Sequence, residues 1–112
     1  MTFPDEKFAD IGAFTEAYFQ AQDSVDRAAL AQAGEILATA YDNRAGVYVC
    51  GNGGSAAISN HLVCDHLKGT QTDTGLRPRV VSLSSNVETM TAVANDISYD
   101  EVFVYQLRTL AD

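Results

Sequence analysis

The chain has 112 residues, 46% of them hydrophobic, with 15 acidic against seven basic residues and a formal net charge of −8. That length holds about one small domain, and that apolar content supports a packed core, which argues against a disordered chain. Seven scattered cations do not make the clustered basic footprint that a nucleic-acid backbone or an anionic bilayer needs, so neither is expected as a direct ligand.

The first residues, Met1-Thr2-Phe3-Pro4-Asp5-Glu6, lack the basic and apolar regions of a secretion signal. No apolar run approaches the roughly 20 residues that span a bilayer, and a cytoplasmic protein is expected. Residues 4–22 carry Phe8, Ile11, Phe14 and Tyr18 at steps of three and four with Asp5, Glu6, Asp10 and Glu16 between them, which predicts an amphipathic helix. Asp23-Ser24 reads as a cap-like break. Leu30, Ala33, Leu37 and Ala40, widened by Ile36 and Tyr41, then predict a second helix ending near Asp42-Asn43. Residues 1–43 are thus expected to form a helical hairpin or to pack on a sheet. In the hairpin case their apolar stripes would favour an oligomer interface.

Residues 44–112 read as the first part of an α/β domain. The apolar run Val47-Tyr48-Val49-Cys50 predicts a strand, Gly51-Asn52-Gly53-Gly54 a turn, and residues 55–67 a helix stopped by Gly69. Gly69 to Gly75 reads as an exposed polar loop, Arg79-Val80-Val81-Ser82-Leu83 as a second strand, and Ser85-x-x-Glu88 as a capping box. A further capping box, Ser98-x-x-Glu101, opens a last helix with Phe103, Leu107 and Leu110 on one side. Strand, helix, strand implies parallel pairing. Two parallel strands fall short of the typical four to six, so further strands are expected beyond Asp112 or from elsewhere. Cys50 and Cys64 are expected as small buried hydrophobes in a reducing compartment.

Strand, glycine turn and helix make an anion-binding geometry. Glycines allow positive φ and close approach, and the first-turn N–H groups favour a phosphate. Gly51-x-Gly53-x-x-Ala56 matches a dinucleotide fingerprint in form, but the second strand ends in Leu83-Ser84-Ser85, without the acid that would hold a ribose. No Lys follows the glycines, which excludes a nucleoside-triphosphate loop. A small phosphorylated or sugar ligand, held by Asn52, Ser55 and the serines at the end of the second strand, fits better. His61 and Asp65, four apart, share one helix face and read as a metal pair, an acid–base pair, or an ordinary surface contact. Asn95-Asp96 reads as either a ligand pair or a helix end.

Taken together, Cys50-Gly51-Asn52-Gly53-Gly54-Ser55, His61, Asp65 and Thr91-Ala92-Val93-Ala94-Asn95-Asp96 resemble the sugar isomerase (SIS) domain family, and within it the phosphoheptose isomerases. The resemblance implies a three-layer α/β/α, flavodoxin-like domain with a parallel sheet, incomplete in this chain, and a homotetramer with active sites between subunits. It implies isomerisation of sedoheptulose 7-phosphate to an aldoheptose 7-phosphate through an enediol. Asn52, Gly53, Gly54 and Ser55 would contact the sugar phosphate, with Ser84 beside them, and Asn95 and Asp96 its hydroxyls. His61 and Asp65 would stand at the catalytic and zinc-ligand positions. A second phosphate loop and a late Gln and His would lie beyond Asp112. In the family's isomerases the position of Asp65 is a Glu, the base that removes a proton beside the carbonyl, and Asp is one methylene shorter. The competing expectation is a non-catalytic SIS protein, one that binds phosphosugar without turnover or associates with a replication initiator.

Overall fold

The computed structural model describes residues 10–111. The expected start of the first helix, with Pro4 and Phe8, lies outside them, as does Asp112. Helix α1 spans Ile11–Asp23, opened by the Asp10 carboxylate, which accepts the Ala13 N–H at 2.7 Å. Helix α2 spans Arg27–Asp42. Its cap is Asp26 rather than the expected Asp23-Ser24, because the Asp26 carboxylate accepts the Ala28 and Ala29 N–H groups at 2.9 and 3.1 Å. Ser24 closes α1 instead, its N–H reaching back to the Gln20 and Gln22 carbonyls. Neither helix contains a buried residue. The chain divides into two compact units, with the boundary between Glu35 and Ile36 inside α2.

The second unit carries the strands. A turn at Arg44, in the left-handed region with φ 55°, leads into β1, Gly46–Val49. It pairs in parallel with β2, Arg79–Ser82, in the register Val47 to Val80 and Tyr48 to Val81. The expected parallel pairing is therefore present, and these are the two strands of the described residues. Alternation sorts the two faces. Val80 and Ser82 point to the face where the Ser82 hydroxyl meets Asn60 of α3, Gly54–Cys64. Tyr48 and Val81 point to the other, where the Tyr48 hydroxyl donates to the Leu110 carbonyl of α6, Val104–Leu110.

The helix after the glycine turn runs further than expected. From α3 it passes into a π-helical segment, Asp65–Thr70, and then α4, Gln71–Thr74. Gly69 lies inside it, and the stop is Gly75, whose φ of 72° is the left-handed conformation that ends helices. The polar run does not break the helix because its hydroxyls turn back onto it: Thr74 Oγ1 donates to the Thr70 carbonyl at 2.6 Å.

Helix α5, Val87–Asp96, is capped by Asn86, whose side chain accepts the Thr89 N–H at 2.8 Å. The expected cap, Ser85, instead donates its hydroxyl to the Ser82 carbonyl at 2.9 Å. Ser98 opens a single 3₁₀ turn, Tyr99–Glu101, ahead of α6. Glu101 is used not to close a capping box but to pair with Arg108 at 2.7 Å. Val80, Leu83, Val93 and Val102 are the buried apolar residues among those described. Cys50 and Cys64 are exposed free thiols, contrary to the expected burial: Cys50 follows the strand's end, and Cys64 lies on the solvent side of α3.

Candidate active site

The site is built where β1 and β2 end. The hydrogen-bond ladder continues one step past β2, as the Leu83 N–H donates to the Val49 carbonyl at 2.9 Å. Past that step the backbones diverge and the glycine turn begins. Gly53, with φ 54° and ψ −122°, sits at the N-cap of α3 and offers no side-chain cap. The chain then curls back: the Ser55 N–H donates to the Asn52 carbonyl at 3.0 Å and the Ala56 N–H to the Gly53 carbonyl at 3.1 Å. A Cβ on Gly51 would lie 2.6 Å from the Ser55 backbone carbon, so only glycine permits this approach. Asn52, Gly53, Gly54 and Ser55 are all exposed at the mouth of the turn. The helix end thus faces solvent with no side chain capping it, and the positive end of its dipole favours an anion there.

Two turns along α3, His61 Nε2 stands 3.4 Å from Asp65 Oδ1, with side chains 75% and 65% exposed. The pair borders two grooves. One, about 610 Å³, is lined by Ala57, Ile58, His61, Leu62, Asp65 and His66. The other, about 470 Å³, includes Cys64, Lys68, Thr72 and Asp73. His66 borders the first groove with the pair but bonds elsewhere. Its Nδ1 lies 2.8 Å from the Leu62 carbonyl, so that nitrogen carries the proton, and Nε2 accepts the Tyr41 hydroxyl at 2.5 Å. Burial pushes the Tyr41 phenol above its ordinary value of 10.0.

Ser84 lies at the end of β2 as expected, but buried, at 6% exposure. Its hydroxyl accepts the Gly51 N–H at 2.9 Å and donates to the Gly51 carbonyl at 2.7 Å. Asn95 and Asp96 end α5 and bond each other, Nδ2 to Oδ1 at 2.7 Å. They stand about 14 Å along the helix axis from the Asn86 cap. Neither makes a hydrogen bond to the glycine turn among the described residues. The structure therefore groups Asn52, Gly53, Gly54 and Ser55 at one helix end and His61 with Asp65 on the same helix, while Asn95 and Asp96 bond each other at the end of α5. The described residues contain no cluster of three or more His, Cys, Asp or Glu side chains able to hold a metal. His61 and Asp65 supply a nitrogen and an oxygen of the kinds zinc takes, two of the four it usually needs.

Two residues of the site went unnoticed in the sequence. Asn60 Oδ1 accepts the Ser82 hydroxyl at 2.6 Å, and Gln106 Nε2 donates to the Leu83 and Val102 carbonyls at 2.9 and 2.8 Å. Ser82 carries the signal for the first, since a polar side chain at an inward strand position needs a buried partner. Gln106 has no comparable local signal.

Residues 13–112 match the family model described as SIS domain. A phosphoheptose isomerase from Halorhodospira halophila is 38% identical over 91 residues, which are 80% of this chain and 46% of that protein. A probable phosphoheptose isomerase from Thermoplasma volcanium is 33% identical over 94% of this chain and 53% of its own. Among solved structures, that of phosphoheptose isomerase GmhA from Neisseria gonorrhoeae superposes with a TM-score of 0.74 at 30% identity, covering 94% of this chain and 53% of that one. The chain spans about half the length of these relatives. By fold, by the glycine turn and by sequence, the chain belongs to the SIS domain family.

Proposed function

We propose that the protein isomerises a heptose phosphate between ketose and aldose forms, with sedoheptulose 7-phosphate as substrate. The observation that carries this reading is the placement of a carboxylate and an imidazole 3.4 Å apart on the helix that the glycine turn opens. The relatives' names support the same reaction class.

The uncapped helix end and Ser55 hold the phosphorylated sugar. Asp65 takes the proton from the carbon beside the carbonyl, the electron pair moves to the carbonyl oxygen, and an enediol forms. Return of the proton to the neighbouring carbon completes the exchange of ketose for aldose. His61 steadies the Asp65 carboxylate and, when protonated, donates to the developing oxyanion. A zinc ion held by His61 and Asp65, with further ligands from other residues, would supply positive charge beside that oxygen.

Assembly as a homotetramer is part of the same reading. It is supported by the exposed apolar side chains of the N-terminal helices, among them Tyr18, Phe19 and Leu30. A cytoplasmic location is supported by the two free thiols. No helix among the described residues is long and apolar enough to cross a membrane.

A second reading, a phosphosugar-binding SIS protein without turnover, is favoured by Asp65 itself, because an acid one methylene shorter than Glu stands about an ångström farther from the reacting carbon and loses about a hundredfold in rate. Proton and phosphorus NMR of the protein with sedoheptulose 7-phosphate in D₂O, with and without zinc, separates the two. Deuterium beside the carbonyl, lost by about 10²-fold or more in Asp65→Asn, establishes the enediol route. Saturable broadening of the phosphate signal without exchange establishes the binding protein.

A further inference from the structure

We propose that Ser84 is a positioning residue that sets the glycine turn for the anion and makes no contact with the substrate; the inference rests on the phosphosugar reading of that turn. A serine hydroxyl has one proton to donate. In Ser84 that proton is directed at the Gly51 carbonyl, 2.7 Å away, while the same oxygen accepts the Gly51 N–H at 2.9 Å. A phosphate or sugar-phosphate oxygen needs a donor, and Ser84 has none left to offer. Its burial keeps it from the mouth of the turn, where Asn52 to Ser55 are exposed.

The clamp is itself anchored. The Ser84 N–H donates to the Ser82 hydroxyl at 3.2 Å, and that hydroxyl donates to Asn60 Oδ1 at 2.6 Å on α3. The chain of bonds runs from the helix, through the end of β2, to the first glycine of the turn that opens the same helix. Gly51 is packed closely against Ser55, with no room between them for even a Cβ, which would fall within 2.6–2.7 Å of Ser55. Any swing of the Gly51 peptide therefore moves Ser55 and the helix end. Fixing these groups before the ligand arrives removes the ordering cost from binding.

The test is amide hydrogen exchange of the purified protein without ligand, paired with sedoheptulose 7-phosphate affinity from phosphorus NMR. In Ser84→Ala the Gly51 amide should exchange about ten- to a hundredfold faster, while amides of α5 keep their parent rates. Affinity should fall, with KM rising and kcat kept, and Ser84→Thr, which retains the hydroxyl, should recover both. Asn60→Ala, on the exposed end of the bond chain, should give a smaller rise at Gly51, and it decides the matter if Ser84→Ala does not fold. An affinity loss with Gly51 exchange unchanged would make Ser84 a direct ligand and overturn the proposal. If the parent protein binds no phosphosugar, the functional reading fails, and Gly51 exchange still decides whether the clamp exists.

Discussion

The N-terminal helices and the strand-bearing unit use apolar residues in opposite ways. Helices α1 and α2 carry regular amphipathic periodicity, yet neither contains a fully buried residue. In the second unit the short strands and the helices after them bury Val80, Leu83, Val93 and Val102 together with Ser59, Ser82 and Ser84. No buried side-chain polar atom among the described residues lacks a hydrogen-bond partner. A hydrophobic stripe thus states that a face wants to be covered, whereas the place where this chain covers itself is marked by serines whose hydroxyls are satisfied by backbone groups and by Asn60, beside a small apolar core.

The largest expected effect breaks the comparison at its core. Leu83→Ala, at a side chain 1% exposed, should destabilise by about 2–5 kcal/mol in urea denaturation. Leu30→Ala, 65% exposed in the single chain, should stay within about 0.5 kcal/mol when the protein is dissociated. A comparable loss for both would mean that an assembled protein covers the N-terminal helices, and a concentration-dependent midpoint would then identify the assembly. Next is Gly51→Ala. Its methyl meets the Ser55 backbone, so a cost of about 1–3 kcal/mol and loss of sugar-phosphate binding are expected by the same denaturation and by phosphorus NMR.

Two caps of equal chemistry then test the two regions directly. Asn86→Ala and Asp10→Ala each remove a side-chain acceptor from a helix N-terminus, worth about 1 kcal/mol. Asn86→Ala should lower the global unfolding midpoint, while Asp10→Ala should show only as faster amide exchange in the first turn of α1. The smallest effect is a pH dependence. The Tyr41 pKa is raised in the folded state, so its contribution is fully present below the ordinary value of 10.0 and is lost as pH rises through the folded value. Stability measured from pH 9 upward should decline above about 10, and Tyr41→Phe should remove that part of the decline.

The element order and the parallel pairing were legible because strand, turn and helix each leave a local signature. The glycine turn was legible for the same reason: positive φ at Gly53 and the tight approach at Gly51 are properties of single residues. Helix ends were harder to read. Ser85 and Asn86 both make good caps; Asn86 takes the place by accepting the Thr89 N–H, while the Ser85 hydroxyl turns back to donate to the Ser82 carbonyl. Gly69 and Gly75 both look like stops, and only Gly75 takes the left-handed conformation. The place of Ser84 at the end of the second strand was legible too, yet its partner is the backbone of a glycine 33 residues earlier, which no local pattern announces. Pairings at such separation belong to the fold rather than to any window of sequence.

The π-helical segment after Asp65 makes chain length a variable of the groove. Its wider turn holds one residue more than an α-helix would, so deleting Gly69 would let the segment relax into α-helix with α4 close to its present orientation, and only a second deletion would turn α4 by about 100° relative to α3. Thr72 and Asp73, which now line a groove with His61 and Asp65, would then swing out of it with their own chemistry intact. The groove therefore tolerates the loss of one residue between 65 and 70 but not of two, and natural variants should differ in that stretch by substitution or by a single residue.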